Sequence, residues 1–252
     1  HLTIFYPERI LKRICFIREE FDIIPVTEST NRSPVIHISH NIAVESWCVK
    51  TVFMYCYEST LKINPLWRRE HIRPDRYTRM ALLLNPNVAT FWNARKTLIL
   101  HQYLEAQSDF LLTKLVLSQK PKCVEALAHR RWLLRQRLGN QGWLETELKL
   151  CDQLSNRMKC NYHAWSHRQS VYNLASSLYG FDPNLWISEF QTSEEWTRYH
   201  VSDHSGWHYR KFLLSHLKSN LIEAGSDLEV IQTHFNHLVC QLSPSAFYAS
   251  LL

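Results

Sequence analysis

The chain has 252 residues, of which 45% are hydrophobic and 21% are charged, so it is long enough to bury a sizeable core in one large domain or two small ones. Its 5 glycines and 9 prolines argue against a β-sandwich, a collagen-like chain and a disordered polymer, all of which use these residues more heavily. The formal net charge of +6 suits an acidic partner but falls short of a strongly basic arm.

The N-terminal segment, residues 1–35, is predicted to be irregular. It is the least regular part of the chain and contains Pro25 and Pro34, which interrupt helices. Its first twenty residues lack the apolar stretch of a signal peptide, and their acidic residues argue against a transit peptide. We therefore predict that a helical repeat domain occupies residues 36–252 and includes an early helix over residues 41–60.

Four stretches of this domain share one pattern: a large apolar residue, an arginine three positions on, and apolar residues six or seven positions on. This spacing places the shared residues on one face of a helix. The pattern recurs every 35 to 42 residues, which accommodates two helices and their loops. The four pairs that anchor the predicted repeats are Trp92 and Arg95, Leu127 and Arg130, Trp165 and Arg168, and Trp207 and Arg210.

A partner helix is predicted before each of the last three anchor helices. Asn161 and Asp203 each stand four residues before their tryptophan, where a short polar side chain caps a helix. The chain after the fourth repeat predicts the first helix of a partial fifth repeat. The fold class is therefore all-α, a right-handed α-α superhelix with a crescent shape. The partner helices are predicted over residues 107–119, 144–158 and 185–200.

Two roles are open for the repeated tryptophans and arginines. A buried aromatic ring contributes roughly 2–3 kcal/mol to a helical core, which favours a structural role for the tryptophans. An arginine one turn away can lie on a neighbouring ring or bind loop carbonyls. One arginine per repeat on the same side would also build a basic stripe on the surface, so both uses can coexist.

The sequence contains none of the motifs that mark a self-contained catalytic site. It has no H-E-x-x-H motif, no zinc-finger spacing, no G-x-S-x-G elbow and no glycine-rich phosphate loop. The H-x-x-H pairs at His37 and His40 and at His234 and His237 lack a second pair of ligands nearby, so we expect no metal site. The basic and aromatic helices match no known nucleic-acid-binding module.

The expected location is the cytoplasm. Seven cysteines without a C-x-x-C pair argue against a disulfide framework and for a reduced compartment. No apolar run approaches the roughly 18 residues that a membrane span needs, so we expect no membrane span.

The W-x-x-R repeat introduced by N-Y-H-A-W at residues 161–165 resembles the repeat of protein prenyltransferase α subunits. Four instances over roughly residues 85–217 carry the resemblance. The stretches over residues 31–50, 82–100 and 200–214 make the chain more similar to the type III geranylgeranyltransferase branch than to the farnesyl or Rab-type branches. The resemblance implies a non-autonomous enzyme subunit that docks a β subunit of the Rab geranylgeranyltransferase type. That β subunit would hold the zinc, so this chain would bind no cofactor itself. The substrates would be geranylgeranyl diphosphate and cysteine-ended acceptor proteins, with no nucleic acid involved.

The resemblance also implies which residues support catalysis. Lys122 in P-K-C-V-E-A-L matches a family lysine that contacts the diphosphate leaving group, where a cation stabilises the growing negative charge. His163 matches a family histidine that lies near the diphosphate. We predict Lys122 and His163 as supporting catalytic residues on the diphosphate side, and Tyr162 and Asn161 as substrate-binding residues.

Two departures from the family pattern keep other functions open. Val124 and Leu127 stand where the family has tyrosine and tryptophan, which favours an alternative in which the chain is a non-catalytic helical-repeat scaffold. A third possibility is an RNA-binding helical repeat, suggested by the net charge of +6. A steep salt dependence of nucleic-acid affinity would support that third function.

Overall fold

A computed structural model of the protein describes residues 20–28, 34–63, 74–136 and 142–223. The described residues fall into two compact units, which we call unit 1 (up to residue 140) and unit 2 (from residue 141). The predicted partial fifth repeat lies outside the described residues. So do most of the predicted N-terminal segment and the pair His234 and His237.

Unit 1 begins with a small sheet, which the sequence did not predict. Its strands are β1 (Glu20–Ile24), β2 (Val35–Ile38) and β3 (Asn41–Glu45). β3 lies in the middle, parallel to β1 and antiparallel to β2. The prediction of helix over residues 41–60 was wrong for the first five residues, because Ile42 and Val44 alternate into the core as strand residues do. The helical part of the described chain therefore starts at residue 46 and not at residue 36.

Unit 1 continues with helices that match the predicted positions closely. The predicted partner helix over residues 107–119 corresponds to a helix that starts one residue earlier. Pro74 opens the second helix of the unit, a position where its missing N–H costs no hydrogen bond. The helices are α1 (Ser46–Ile63), α2 (Pro74–Leu84), α3 (Ala89–Leu100), α4 (Ala106–Gln119) and α5 (Val124–Gln136).

Unit 2 contains helices α6 (Trp143–Arg157), α7 (Tyr162–Tyr179), α8 (Pro183–Tyr199) and α9 (His204–Glu223). The predicted partner helices over residues 144–158 and 185–200 are confirmed as α6 and α8. Gly180 ends α7 with a φ of 84°, a left-handed conformation that glycine adopts without steric cost. Large side chains from three helices form the core of the unit, with Trp165, Tyr172, Trp186, Phe190 and Tyr209 at its centre.

The helices of both units pack in consecutive pairs, as the repeat pattern predicted. The pairs are α2 with α3, α4 with α5, α6 with α7, and α8 with α9. The all-α fold of helical hairpin repeats is therefore confirmed, with the small N-terminal sheet as an addition. In the part of the chain that the structure describes, no helix is long and apolar enough to cross a membrane.

Candidate functional site

The four repeat arginines are buried inside the helical hairpins. Arg95, Arg130, Arg168 and Arg210 are each between 0% and 4% exposed. A basic stripe made of these side chains, which the sequence left open, is therefore absent. The guanidinium groups serve the fold instead.

Each repeat arginine ties together the two helices of its own hairpin through one repeated contact. Its Nη1 donates a hydrogen bond to the backbone carbonyl of the residue 20 positions earlier. In three repeats Nη1 also donates to a hydroxyl 17 positions earlier, on Thr78, Thr113 or Ser193. The third repeat has Cys151 at the hydroxyl position, and there Arg168 binds the neighbouring Asp152 carboxylate at 2.5 Å.

Buried carboxylates on the first helices of three hairpins complete this network. Asp109, Glu147 and Glu189 each bind the side chain 20 residues later, at 2.7 Å to His129, 3.0 Å to His167 and 2.8 Å to Tyr209. Two of the carboxylates also bind the arginine of the preceding hairpin. The pairs are Arg95 with Asp109 and Arg168 with Glu189, so these arginines connect neighbouring repeats within each unit.

The pair Asp109–His129 consists of a carboxylate and a neutral imidazole. Burial alone would raise the pKa of Asp109, but the Arg95 guanidinium and the His129 hydrogen bond outweigh it and hold this pKa below its ordinary value. Burial lowers the pKa of His129 more than the Asp109 contact raises it. His129 therefore donates its Nε2–H to Asp109. Its buried Nδ1 meets no hydrogen-bonding partner in the described residues, while its ring lies 4.8 Å from that of Trp92.

Glu189 is the most heavily bonded carboxylate of unit 2. It accepts hydrogen bonds from Arg168 Nε at 2.6 Å and Nη2 at 2.9 Å, and from the hydroxyls of Tyr172 at 2.9 Å and Tyr209 at 2.8 Å. Burial and the nearby Glu189 charge raise the pKa of both tyrosines. A fully bonded buried carboxylate has no free lone pair for a ligand, so this cluster is a structural feature.

Three of the four predicted apolar anchors, Trp92 among them, are buried as predicted, and the fourth is not. Trp165 is buried with its ring centroid 4.9 Å from that of Tyr209, and Leu127 fills the equivalent core position in its repeat. Trp207 is partly exposed and donates its indole N–H to the Val201 carbonyl. The buried ring of this repeat is that of Tyr209, which stands at the position of His129 and His167 and donates its hydroxyl to Glu189.

The start of α7 divides the predicted site residues into one buried and two accessible side chains. Asn161 is fully buried; its Oδ1 accepts from the Ala164 N–H and its Nδ2 donates to the Leu154 carbonyl, both at 3.2 Å. The prediction of a cap is confirmed, and this buried position does not support the predicted substrate contact. Tyr162 is 51% exposed and His163 is half-buried, so these two remain available to a ligand.

Asp203 fixes the loop before α9 to the loop before α7. Its Oδ1 accepts from the Ser205 N–H at 2.9 Å, and its Oδ2 accepts from the Cys160 N–H at 2.8 Å. The predicted cap at Asp203 is therefore confirmed, and the side chain also binds across 43 residues of sequence. The two helix starts are held together as one end of unit 2.

The structure adds His208 to the accessible residues at this end. Its ring lies 5.9 Å from the ring of Tyr162, which in turn lies 5.9 Å from the ring of His163. Sequence reasoning missed His208 because the equivalent position in the other repeats is Asn93, Ala128 or Ser166, so the repeat gave no signal. Phenol and imidazole groups in this arrangement can donate hydrogen bonds to an anion. The described residues contain no group of three potential metal ligands.

Lys122 lies in unit 1, exposed in the loop two residues before α5. Val124, which replaces the family tyrosine, is also exposed, at 44%. Leu127 is buried where the family has tryptophan, so that substitution changes the shape of the core and leaves the hairpin intact. The loop therefore keeps an accessible cation and lacks an accessible hydroxyl at position 124.

Comparison with known proteins supports the repeat assignment. Residues 144–175 and 186–217 match the family model described as the protein prenyltransferase alpha subunit repeat. These ranges correspond to the hairpins α6–α7 and α8–α9. In unit 2 the repeats are thus recognised independently of the contacts described above.

Similar proteins extend the likeness to most of the chain. The human protein prenyltransferase alpha subunit repeat-containing protein 1 is 36% identical over 84% of this chain and 57% of its own length. The protein of the same name from Danio rerio is 36% identical over 82% of this chain and 53% of its own length. A geranylgeranyl transferase type-2 subunit alpha from rat is 28% identical over 56% of this chain and 25% of its own length. The chain spans about half the length of the first two relatives.

Proposed function

We propose that this chain, a member of the prenyltransferase α-subunit repeat family, is the α subunit of a heterodimeric protein geranylgeranyltransferase. It docks a β subunit of the Rab geranylgeranyltransferase type and helps bind geranylgeranyl diphosphate. The complex transfers the isoprenoid to cysteines at the ends of acceptor proteins as a thioether. We assign the zinc of the complex to the β subunit, as the family resemblance implies.

The observation that carries the proposal is the start of α7. The N-Y-H-A-W sequence is intact, and its residues divide into two that hold the helix and two that face outward. Asn161 and Trp165 are buried, while Tyr162 and His163 are accessible at the N-terminal end of α7, where backbone N–H groups also favour negative charge. The exposure of Tyr162 and His163 at this helix end supports a contact with the diphosphate.

The chemistry explains which groups this chain supplies. The cysteine thiolate of the acceptor attacks C1 of the isoprenoid, a carbon–sulfur bond forms, and the carbon–oxygen bond to the diphosphate breaks. Negative charge grows on the leaving oxygens as that bond breaks. Donors placed beforehand around those oxygens stabilise the transition state more than the ground state. We assign that task to Lys122 and His163. We also assign to Tyr162 a hydrogen bond from its phenol to the same substrate.

Co-expression with the Rab-type β subunit tests the proposal. We expect a stoichiometric complex in size-exclusion chromatography with light scattering, and transfer of labelled geranylgeranyl to a cysteine-ended acceptor peptide. The same peptide with serine in place of cysteine is the control and should stay unlabelled. Absence of both complex and transfer would refute the proposal.

A non-catalytic scaffold is the second candidate, and one observation favours it. The loop that carries Lys122 has the exposed Val124 in place of the family tyrosine, so it offers no hydroxyl at that position. A stable complex without transfer would identify the chain as such a scaffold. The repeat arginines are buried, so they provide no basic stripe for RNA binding.

A further inference from the structure

Acidic side chains are unevenly distributed between the helices of unit 2. The second helices of the two hairpins, α7 and α9, contain no aspartate or glutamate except Glu223, the last residue of α9. The first helices, α6 and α8, contain the others: Glu145, Glu147, Asp152, Glu189, Glu194 and Glu195. One layer of helices thus holds nearly all the negative charge of the hairpins.

Several of these carboxylates are bound inside the unit. Glu189 and Asp152 bind Arg168, Glu147 binds His167, and Glu194 binds Arg198. Glu145 is bound on α6 itself, by Lys149 at 2.7 Å. Most of these carboxylates therefore have a bonding partner within the unit.

The lysines and histidines on the exposed side of α9 have no such partners. His204, His208, Lys211, Ser215 and Lys218 follow one another at intervals of four and three residues and are all exposed, so they form one stripe along the helix. We call these five residues the α9 stripe. Its lysines and histidines make no ion pair or hydrogen bond through their side chains with the described residues.

The neighbouring helix α7 borders the α9 stripe with uncharged polar groups. At the same helical spacing it presents Tyr162, Ser166, Gln169, Asn173 and Ser177, none of which is buried. The contact between the Tyr162 and His208 rings joins the two rows. From His204 to Lys218 the stripe spans 14 residue steps, so it is about 21 Å long at 1.5 Å per residue. Two adjacent helices then offer about 400 Å², one partner's share of a small, transient interface.

We infer that the α9 stripe docks an acidic helix of a partner protein, with glutamates or aspartates repeating at three- and four-residue intervals. Two lysines one or two turns apart match carboxylates on such a helix, and the imidazoles add N–H donors. This inference stands whether or not the chain is a transferase subunit.

A nucleic acid fits the same surface less well. Two lysines neutralise few phosphates, whereas nucleic-acid affinity comes from many such contacts. Single-stranded nucleic acids also need exposed rings for stacking. Tyr162 offers one exposed ring at this surface, whereas Trp165 and Tyr209 are buried and Phe212 packs against His216 at 4.3 Å.

A labelled helical peptide tests the inference on the full chain. The probe is an alanine-rich 21-residue peptide with glutamate at five positions spaced as in the α9 stripe, and the control peptide has glutamine there. We expect saturable binding of the glutamate peptide by fluorescence anisotropy and at least about tenfold weaker binding of the glutamine peptide. The double variant Lys211→Glu/Lys218→Glu should weaken glutamate-peptide binding about tenfold, because two attractions become repulsions.

A matched variant distinguishes the effect of the α9 stripe on peptide affinity from the effect of the protein's net charge. Lys114→Glu/Lys149→Glu changes the net charge equally, on exposed lysines of α4 and α6, and should change the affinity less than twofold. Circular dichroism checks that all variants keep their helix content. Equal weakening by both double variants would overturn the inference, and so would binding of polyuridylate in preference to the glutamate peptide.

Discussion

Arg168 on α7 and Glu189 on α8 form a buried ion pair, with hydrogen bonds of 2.6 Å from Nε and 2.9 Å from Nη2. The pair joins the second helix of one hairpin to the first helix of the next. Arg95 and Asp109 make the same connection in unit 1. In these two repeats the arginine therefore holds its own hairpin together through a backbone carbonyl and fixes the following hairpin through a carboxylate.

Substitution of Arg168 by methionine should destabilise the protein strongly. The variant leaves Glu189 buried without its cation, which costs about 3–5 kcal/mol. The free energy of unfolding, measured by urea titration followed by circular dichroism, gives the comparison with the wild type. Arg198→Met is the control, because Arg198 binds Glu194 while its own side chain is 68% exposed, and such pairs contribute about 1 kcal/mol or less. An equal decrease in the free energy of unfolding of both variants would show that the buried ion pair stabilises the protein no more than the exposed one.

Alkaline conditions should weaken unit 2 through its buried tyrosines. The raised pKa of Tyr172 and Tyr209 means that the native state keeps both protons above about pH 10, where unfolded tyrosines lose theirs. The native state then binds more protons than the unfolded state, so the free energy of unfolding falls as pH rises. Urea titrations from about pH 8 to 11 measure the slope. Tyr172→Phe/Tyr209→Phe should flatten it, and Tyr199→Phe, at an exposed residue, should not.

Mild acid should weaken unit 1 through His129. Its lowered pKa keeps the native imidazole neutral where the unfolded imidazole takes up a proton, below about pH 6.5. The unfolded state then binds more protons, so the free energy of unfolding falls as pH decreases. His129→Gln keeps a donor for Asp109 and removes this titration, so it should reduce the pH dependence between about pH 7 and 5. His204→Gln, at an exposed histidine, should leave the dependence unchanged; a steeper slope in His129→Gln would contradict the assignment.

Alanine in place of Gly206 should destabilise α9, although alanine favours helices by about 1 kcal/mol over glycine. A Cβ at this position would lie 2.6 Å from Cζ3 of Trp196. That ring cannot give way easily, because it stacks on His200 at 4.0 Å and donates to Asn156 at 2.9 Å. We expect a loss of about 1–3 kcal/mol, as for other overpacked sites, in the same urea experiment. Ser219→Ala on the exposed side of α9 should change the value by less than about 0.5 kcal/mol.

The helices could be predicted from the sequence, because their signal is local. The partner helix predicted over residues 107–119 matches α4 to within one residue. Such a match is possible because a 3.6-residue period specifies a helix without knowledge of its partners. β3 could not be recognised in the same way. Its five residues become a strand because Val35–Ile38 and Glu20–Ile24 pair with it, and those contacts are not visible in the local pattern.

The burial of the repeat arginines required the structure. Arg95 binds Asp109 and Arg168 binds Glu189, at separations of 14 and 21 residues, so no single spacing identifies the partner. The carbonyl acceptor always lies 20 residues before the arginine, as in Arg130 with Phe110 and Arg210 with Phe190. Because every residue has a backbone carbonyl, the residue type at that position does not identify the acceptor. The candidate site followed the family pattern at Tyr162 and His163, and only the packing of α9 beside α7 revealed His208.

The single-turnover rate of geranylgeranyl transfer by the complex of this chain with a Rab-type β subunit tests the central claim most directly. We predict that Lys122→Ala and His163→Ala each slow the transfer at least about tenfold, since each removes one donor to the developing diphosphate charge. Lys114→Ala and His101→Ala, at exposed residues outside the site, should keep the wild-type rate. Wild-type rates in all four variants of an active complex would contradict the claim that this chain acts on the diphosphate.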